Sequence, residues 1–323
     1  MTITFFEQSE EIVIKELESF SFQILSRYPI EIKSAVSINY EYNATLKIEA
    51  NSGELFALRI NTNSPRTPEN LKAEIAWVRH LAADGRVAVP QPIQNLQGEF
   101  HTSILHDISG RMFHCVLYSW IEGNELEDEP TNEQLIALGA AMATMHLIAR
   151  NFTLPSGAAL PTFDDALWWT EDFLLSKKSA LDAEAKSLIS QALSTIKAGV
   201  DKLYVDSKPV LIHADMHGGN VLWHEGSLSV IDFDDSGFGL PLQDVATAMY
   251  YLDTPEQDAA FREGYESIAP IPECSEKEMK MLFLQRRIIL LNYLYETSNL
   301  EHKSMIPKYQ EETLRRIRAY LDI

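Results

Sequence analysis

The sequence predicts an α+β fold with two parts, the first built on an antiparallel sheet and the second mainly helical. Short runs rich in β-branched and aromatic residues, separated by turn signals, fill much of the first third of the chain, whereas helical spacing of apolar residues fills most of the remainder. The chain has 323 residues, of which 46% are hydrophobic, so it can bury a large core and is long enough for two lobes.

The elements of the first part follow from these patterns in order. Residues 8–27 carry apolar side chains at helical spacing and predict a helix ahead of the sheet. Three β-like runs at 35–39, 44–49 and 55–60, with turn signals between them, predict an antiparallel meander. A helix over about 68–83 and two further strands, at 99–105 and 112–120, complete a sheet of five strands.

Helices and one hairpin account for the second part. Helical patterns predict helices at 134–149, 176–206, 245–252, about 256–266, 275–297 and 302–321. His146 in the first of these is expected to pack in the core, and Asp244 is expected to open the helix at 245, since an acidic residue shortly after proline is a helix-start signal. Apolar runs at 221–223 and 228–231 predict a β-hairpin.

Composition and charge exclude several classes of partner and location. The net charge of −20 would repel a polyanion, so we expect no nucleic acid partner, and it favours a cationic or neutral ligand, although solubility alone would also explain it. The two cysteines are too few for a disulfide framework. No apolar run approaches 18 residues and residues 1–9 lack a basic segment, so we expect a cytoplasmic protein without an export signal or membrane span.

Polar residues are concentrated between Leu211 and Asp244, on a loop and the hairpin that follows it. If the hairpin turn is 225–226, Asn220 faces Ile231, and if it is 226–227, Asn220 faces the residue two positions later. Either register places Asn220 beside Asp232, at a separation of about 5 Å between opposed residues. An amide oxygen and a carboxylate suit Mg²⁺, and Asp215 on the same loop is placed to accept a proton from a hydroxyl.

The spacing His213-x-Asp215-x₄-Asn220, followed by Asp232, resembles the catalytic loop and metal-binding aspartate of protein kinases. With the flanking I-D-F-D-D and G-x-x-x-Q-D runs, the stretch is most similar to the aminoglycoside phosphotransferase and choline kinase family. Within that family its spelling is closest to a bacterial stress-response Ser/Thr kinase branch.

This resemblance implies a bilobal protein-kinase-like fold that binds ATP and Mg²⁺. It implies that Asp215 is the catalytic residue and that Asn220 and Asp232 hold the metal ion. It also implies that His213 holds the loop and that Asp244 braces the loop from behind.

The resemblance extends to the first lobe. Arg59 stands where kinases carry a phosphate-binding lysine, and Glu74 on the following helix is its implied partner. The backbone of Ser119 and Ile121 would pair with adenine at the hinge. This gives a nucleotide-binding lobe at 1–119 and a helical catalytic and substrate lobe at 120–323.

Two smaller expectations concern the nucleotide phosphates and a second metal ion. The turn at 39–43 would cover the nucleotide phosphates, with asparagine in left-handed geometry in place of glycine. Asp234 or Asp235 would assist a second ion, but only one of them, because adjacent residues on a strand point to opposite faces. Periodicity alone does not decide whether Arg286, Arg287 and Tyr293 face the site.

We therefore predict an ATP- and Mg²⁺-dependent phosphotransferase that acts on a hydroxyl of a small, amine-bearing molecule. Trp168 and Trp169 beside several carboxylates could form a wall for a cation, or could simply pack the helical lobe. One alternative is a Ser/Thr protein kinase of the stress-response type, with a protein substrate. Alternatives of another class are a zinc-dependent hydrolase that uses His213, Asp215 and His217, and a non-catalytic nucleotide-binding module.

Overall fold

The computed structural model describes residues 5–126, 129–297 and 299–322. It combines antiparallel strands with helices, so the predicted α+β class is confirmed. The contacts divide the chain into two compact units, the first formed by Met1–Glu122 with Leu154–Ala159 and the second by Gly123–Thr153 with Leu160–Ile323. Within the described ranges, none of the helices has both the length and the apolarity needed to cross a bilayer.

The first unit is a five-stranded antiparallel sheet with two helices. The strand order is β1-β2-β3-β5-β4, as a meander followed by a hairpin whose second strand joins the sheet. The elements are α1 (Glu10–Leu25), β1 (Ile32–Tyr40), β2 (Asn43–Ala50), β3 (Leu55–Asn61), α2 (Pro68–Asp84), β4 (Thr102–His106) and β5 (Arg111–Ser119).

Alternation along β2 and β3 builds the core of this unit. Leu46 and Ile48 on β2, and Leu58 and Ile60 on β3, are fully buried and pack with apolar residues of α1. Because side chains on a strand point alternately to its two faces, Arg59 lies on the opposite face from its neighbours Leu58 and Ile60. The sheet therefore presents this arginine away from the apolar core.

The second unit is mainly helical, with two small sheets of order β10-β7 and β6-β8-β9. Its elements are β6 (Asn124–Glu125), α3 (Asn132–Ala149), α4 (Ala183–Tyr204), β7 (Val210–Ile212), β8 (Val221–His224), β9 (Ser227–Val230), β10 (Gly237–Gly239), α5 (Pro241–Met249), α6 (Pro255–Glu266), α7 (Glu276–Glu296), α8 (Leu300–Ser304) and α9 (Ile306–Leu321).

Three predicted helices differ from the structure, two of them by more than two residues at the start and one in its continuity. The helix predicted at 176–206 begins only at Ala183, because the Asp182 side chain accepts a hydrogen bond from Ala185 N and caps the helix there. The helix predicted at 245–252 begins at Pro241, so Asp244 lies within its first turn and does not open it. The helix predicted at 302–321 is divided into α8 and α9.

Two glycines let α3 and α6 approach closely. A Cβ atom at Gly139 would lie 2.1 Å from the carbonyl oxygen of Phe261, and one at Gly264 would lie 1.9 Å from that of Ile136. Both distances are shorter than any van der Waals contact, so these positions exclude a side chain. The close approach brings His146 of α3 against Tyr265 of α6, with Nδ1 2.8 Å from the tyrosine hydroxyl.

Apolar faces of α4, α7 and α9 form a second core. Ile189 and Ile196 of α4, Ile288 and Leu291 of α7, and Ile317 of α9 are fully buried in one cluster. This cluster fixes α7, which also carries the buried polar run Gln285, Arg286 and Arg287. The position of these polar residues is therefore set by the packing of α7.

Candidate active site

The loop between β7 and β8 carries His213, Asp215 and Asn220. Strand β7 pairs with β10 and leads straight into His213, and Gly218–Asn220 form a 3-10 turn before β8. Ala214 has a φ of 69°, a left-handed conformation that is unusual for alanine. Such a backbone persists only where surrounding contacts hold it, and here those contacts come from Asp244.

Asp244 binds the backbone of this loop from behind. Its carboxylate accepts hydrogen bonds from His213 N at 3.0 Å and Ala214 N at 2.7 Å, and lies 3.0 Å from His146 Nε2. Burial raises the pKa of Asp244, but the contacts with His146 and His213 more than offset this effect, so the pKa lies below its usual range. His146 is a packed core histidine, as its sequence context predicted, and it links the carboxylate to Tyr265.

His213 is engaged at both ring nitrogens. Nε2 lies 2.9 Å from the carbonyl oxygen of Ile231, and Nδ1 accepts a hydrogen bond from Asp215 N at 3.3 Å. The imidazole therefore ties the loop to the segment after the hairpin and has no free nitrogen for zinc. Among the described residues, no group of three or more His, Cys, Asp or Glu side chains could hold a metal ion.

Asn220 is oriented by Asp215. Its amide nitrogen donates to the Asp215 carbonyl oxygen at 2.8 Å and to the carboxylate Oδ2 at 3.3 Å, so the amide oxygen is the atom that a cation would use. The hairpin turn is 225–226, and Ile231 N donates to the Asn220 carbonyl oxygen at 3.0 Å. The first of the two expected registers is therefore present, and Asp232 follows the residue opposite Asn220.

The donor types of Asn220 and Asp232 fit Mg²⁺. An amide oxygen and a carboxylate are hard oxygen ligands, and Mg²⁺ keeps its remaining positions for water and phosphate oxygens. The Asp232 backbone has a φ of 61° and its side chain is exposed. Asp234 and Asp235 lie in a turn and not on a strand, so the expectation that they point to opposite faces rested on a wrong premise.

The Asp215 carboxylate also forms an ion pair with Arg286 of α7. Arg286 Nη2 donates to Asp215 Oδ1 and, at 2.7 Å, to the hydroxyl of Tyr251. Burial by itself would raise the pKa of Asp215. The neighbouring Arg286 and His217 lower the pKa by more than burial raises it, and the resulting pKa is about 2. The carboxylate is therefore ionised at neutral pH.

His217 and Tyr251 line the other side of Asp215. The two rings lie 4.6 Å apart between centroids, and His217 Nε2 is 3.7 Å from Asp215 Oδ2. His217 Nδ1 accepts a hydrogen bond from Gly219 N at 3.0 Å, which fixes the ring on its own loop. Periodicity left Arg286 undecided and gave no sign of Tyr251. The available signal was the charged pair at 286–287 between two apolar runs, at 281–284 and 288–291.

In the first unit, Arg59 of β3 and Glu74 of α2 form an ion pair. Arg59 Nη2 lies 2.5 Å from Glu74 Oε2, and their side chains are 12% and 6% exposed, respectively. The hydroxyl of Tyr118 donates to Glu74 Oε1 at 3.0 Å. Sequence reasoning missed Tyr118, although the β3–β5 register puts it on the same face of the sheet as Arg59.

Ser119, Ile121 and the turn at 39–43 are the remaining positions predicted in the first unit. Ser119 ends β5, where its N–H donates to the Gln91 carbonyl oxygen at 2.8 Å and its hydroxyl accepts from Gln91 N. Ile121 is half-buried two residues further on. The turn at 39–43 contains no residue with a positive φ, so left-handed asparagine geometry was the wrong expectation there.

The two tryptophans of the second unit have different surroundings. Trp168 is half-buried against Phe163, with ring centroids 4.7 Å apart. Trp169 is 64% exposed, and its Nε1 donates to Asp164 Oδ1 at 2.9 Å. Both have a positive φ, at 54° and 63°. Trp168 therefore packs, whereas Trp169 presents an aromatic face beside a carboxylate.

Known proteins resemble this chain over much of its length. Amicoumacin kinase of Bacillus subtilis (strain 168) is 27% identical over 217 residues, which make up 65% of this chain and 62% of that protein. Homoserine kinase of Allorhizobium ampelinum (strain ATCC BAA-846 / DSM 112012 / S4) is 31% identical over 172 residues, 51% of this chain and 48% of that protein. The chain thus spans between about half and three fifths of the length of these two relatives.

A solved structure described as the microcompartment-associated aminopropanol kinase has the same fold. Its TM-score is 0.78 at 22% sequence identity, and the match covers 94% of this chain and 97% of that one. The family described as APH, phosphotransferase enzyme family, matches residues 41–274, well over half of the chain and the range that holds Arg59, Glu74 and the loop from His213 to Asp244. The predicted membership is confirmed, and the chain belongs to the APH phosphotransferase enzyme family.

Proposed function

We propose that this protein transfers the γ-phosphoryl group of ATP, with Mg²⁺, to a hydroxyl of a small molecule that also carries an amino group. The observation that carries the proposal is that the side chain of Asn220 is hydrogen-bonded to Asp215 on the same loop. Ile231 lies opposite Asn220 in the hairpin, and Asp232 is the next residue. Family membership supports the same reaction class.

Asp215 is the residue that receives the acceptor hydroxyl. With a pKa of about 2 it is an anion at neutral pH, so it accepts a hydrogen bond from the hydroxyl and directs the oxygen lone pair at phosphorus. A carboxylate of that pKa is a weak base. It therefore takes the proton late, as the new P–O bond forms, which suits a loose phosphoryl-transfer transition state.

Asn220 and Asp232 would hold Mg²⁺ through an amide oxygen and a carboxylate oxygen. When bound, the ion neutralises phosphate charge and aligns the phosphoryl group. His213 and Asp244 support this arrangement by fixing the loop backbone, without contact with the reacting atoms.

The first unit would bind the nucleotide. Arg59 offers a permanently charged, planar group for phosphate oxygens, and its pairing with Glu74, itself held by Tyr118, fixes where that group points. The carbonyl oxygen of Ser119 and the N–H of Ile121 would pair with adenine. On this proposal the nucleotide-binding lobe is 1–119 and the acceptor lobe is 120–323.

The acceptor class follows from charge and from the relatives. A net charge of −20 favours an amine over an anion, and the exposed face of Trp169 beside Asp164 offers a cation a place to bind. The names of the relatives point to amicoumacin, homoserine and aminopropanol as compounds to test. Dependence on ATP would agree with the cytoplasmic location expected from the sequence.

The experiment is a transfer assay with ATP labelled on its γ-phosphate. The acceptor panel is amicoumacin, homoserine and aminopropanol, with propanediol as an amine-free alcohol of similar size and casein as a protein acceptor. We expect label in at least one amine-bearing compound and little in propanediol or casein. Label in casein alone would favour the protein kinase alternative, and no ATP-dependent label in any acceptor would contradict the proposal.

A further inference from the structure

Arg286 is a buried cation that lies beyond the family-matched residues 41–274. It is 7% exposed, on helix α7, and is separated by 71 residues in sequence from Asp215, to which it donates a hydrogen bond. Its Nε is fully buried and has no hydrogen-bond partner within the described chain. Burial of a guanidinium carries a desolvation penalty, so packing alone does not explain an arginine here.

The two oxygens of the Asp215 carboxylate are held from different directions. Oδ1 accepts from Arg286 Nη2, whereas Oδ2 lies 3.3 Å from Asn220 Nδ2 and 3.7 Å from His217 Nε2. Contacts at both oxygens fix the carboxylate plane. Without the contact at Oδ1, the loop residues alone would hold Oδ2, and the plane could rotate about the Cβ–Cγ bond.

The position of Arg286 is itself well determined. Nη2 also donates to the Tyr251 hydroxyl at 2.7 Å, and the guanidinium carbon lies 5.5 Å from the centre of the Tyr251 ring. The preceding residue, Gln285, donates to the carbonyl oxygens of Asp165 and Ala166 at 3.1 and 3.2 Å. Helix α7 therefore presents the guanidinium from a fixed backbone.

The next residue provides a structural comparison within the same helix. Arg287 is 8% exposed, donates to Thr313 Oγ1 at 3.1 Å and to the Tyr309 carbonyl oxygen at 3.2 Å, and reaches the Tyr250 hydroxyl at 3.3 Å. These partners join α7 to α9 and to the end of α5. Two adjacent buried arginines thus have separate partners, and only Arg286 contacts the catalytic loop.

We propose that Arg286 is a positioning residue of the phosphoryl-transfer site that acts through Asp215. Its guanidinium fixes the plane of the carboxylate that receives the acceptor hydroxyl, and its charge offsets the repulsion between that carboxylate and the incoming phosphoryl group. The inference rests on the proposed function. It adds a residue from outside the family-matched region to the machinery of the same reaction.

The test compares Arg286→Ala with the wild-type protein, using the panel acceptor that wild type phosphorylates. We expect kcat to fall about 100-fold, because a displaced catalytic group costs about that much, with KM for ATP within about twofold of wild type. Addition of millimolar guanidinium chloride should raise kcat of this variant and leave wild type unchanged. Arg286→Lys, which keeps the charge without the fork, should lie between the two.

Arg287→Ala is the matched control, since it removes a buried arginine from the same helix. It should lower thermal stability at least as much as Arg286→Ala, yet retain kcat per folded molecule. A folded Arg286→Ala variant with wild-type kcat, or one that guanidinium does not rescue, would overturn the inference. If Arg286→Ala does not fold, the test uses Arg286→Lys instead. A reduced kcat per folded molecule in Arg286→Lys then supports the inference, whereas an unchanged kcat overturns it. Absence of transfer by wild type itself would instead be a failure of the proposed function.

Discussion

At Asp215, burial and neighbouring charge act on one carboxylate in opposite directions. Burial favours the neutral acid, whereas Arg286 and His217 favour the anion and prevail, with a resulting pKa of about 2. The side chain remains 22% exposed, so a hydroxyl can still approach it. These properties suit a group that orients an acceptor and stays charged at every pH at which the protein would work.

Asp215→Asn tests this residue directly. The amide has almost the same shape but cannot take a proton, so we expect kcat for phosphoryl transfer to fall by at least about 100-fold. Binding of ATP and Mg²⁺, followed by isothermal titration calorimetry, should survive, because Asn220, Asp232 and Arg59 are unchanged. Turnover equal to that of wild type would reject the role of Asp215.

In the first unit, Arg59 is the residue proposed to bind the phosphates of ATP. Arg59→Met should raise the Kd for ATP about 10- to 100-fold, since a charge-assisted hydrogen bond contributes about 1.5–3 kcal/mol. Arg59→Lys should recover part of the affinity, because it keeps the charge and loses the planar fork. Glu74→Gln serves as a control, because it keeps Arg59 and removes the carboxylate that orients the guanidinium. An unchanged Kd in the Met variant would show that Arg59 is structural only.

At the scale of elements, three helices converge on the loop from His213 to Asn220 through one buried series of polar contacts. Tyr265 of α6 contacts His146 of α3, which contacts Asp244 of α5, which accepts the backbone N–H groups of His213 and Ala214. Each polar group in this series of contacts has a hydrogen-bond partner, as burial requires. The loop geometry is thus set by elements that lie well apart in sequence.

Asp244→Asn should destabilise the protein by about 3 kcal/mol at pH 7, since it breaks a buried, hydrogen-bonded pair. The pKa of Asp244 is lowered on folding, so its stabilising contribution is present above the unfolded pKa of about 3.9 and is lost as pH falls through the folded value. Urea unfolding from pH 7 down to pH 3 should therefore show the gap between variant and wild type becoming smaller below about pH 4. A gap that is constant over this range would contradict the assignment.

The contact between α3 and α6 depends on glycine. In Gly139→Ala the new Cβ would meet the Phe261 carbonyl oxygen at 2.1 Å, so the helices must separate, at a cost of about 1–3 kcal/mol. Helix propensity alone would predict the reverse, since alanine is the better helix former. Thermal denaturation distinguishes these two expectations. A higher melting temperature for the variant than for wild type would contradict the close contact between α3 and α6.

At the scale of the whole molecule, each unit has its own core, and the described residues of both cores are apolar. Leu46, Ile48 and Leu58 belong to the first core, and Ile196 and Ile288 to the second. Asn220 and Asp232, the proposed metal ligands, lie outside both clusters. Metal binding is therefore expected to govern activity and not folding.

Removal of divalent ions tests this separation. Excess EDTA should abolish phosphoryl transfer while the far-ultraviolet circular dichroism spectrum and the melting temperature change little, and added Mg²⁺ should restore turnover. Zinc measured after purification without chelator should be well below one equivalent. Stoichiometric zinc, or activity that persists in EDTA, would contradict the proposed chemistry.

Local sequence patterns predicted the strands well where apolar and polar residues alternate regularly. Alternation predicted β2 and β3, and the five-stranded sheet followed from the turn signals between the runs. The start of α4 was placed too early, because the capping preference of Asp182 decided the boundary where the apolar pattern did not. The hairpin next to Asn220 was limited to two registers, and the structure has one of them.

The sequence by itself determined the family, the fold class and the polar residues of the loop from His213 to Asn220, because each depends on local spacing within short segments. Only the tertiary structure decided that Arg286 pairs with Asp215, that His146 contacts Asp244 and that Tyr118 holds Glu74. These partners are separated by 71, 98 and 44 residues, respectively. Periodicity reports which face of an element is buried, whereas a pairing over such a distance depends on how the elements pack.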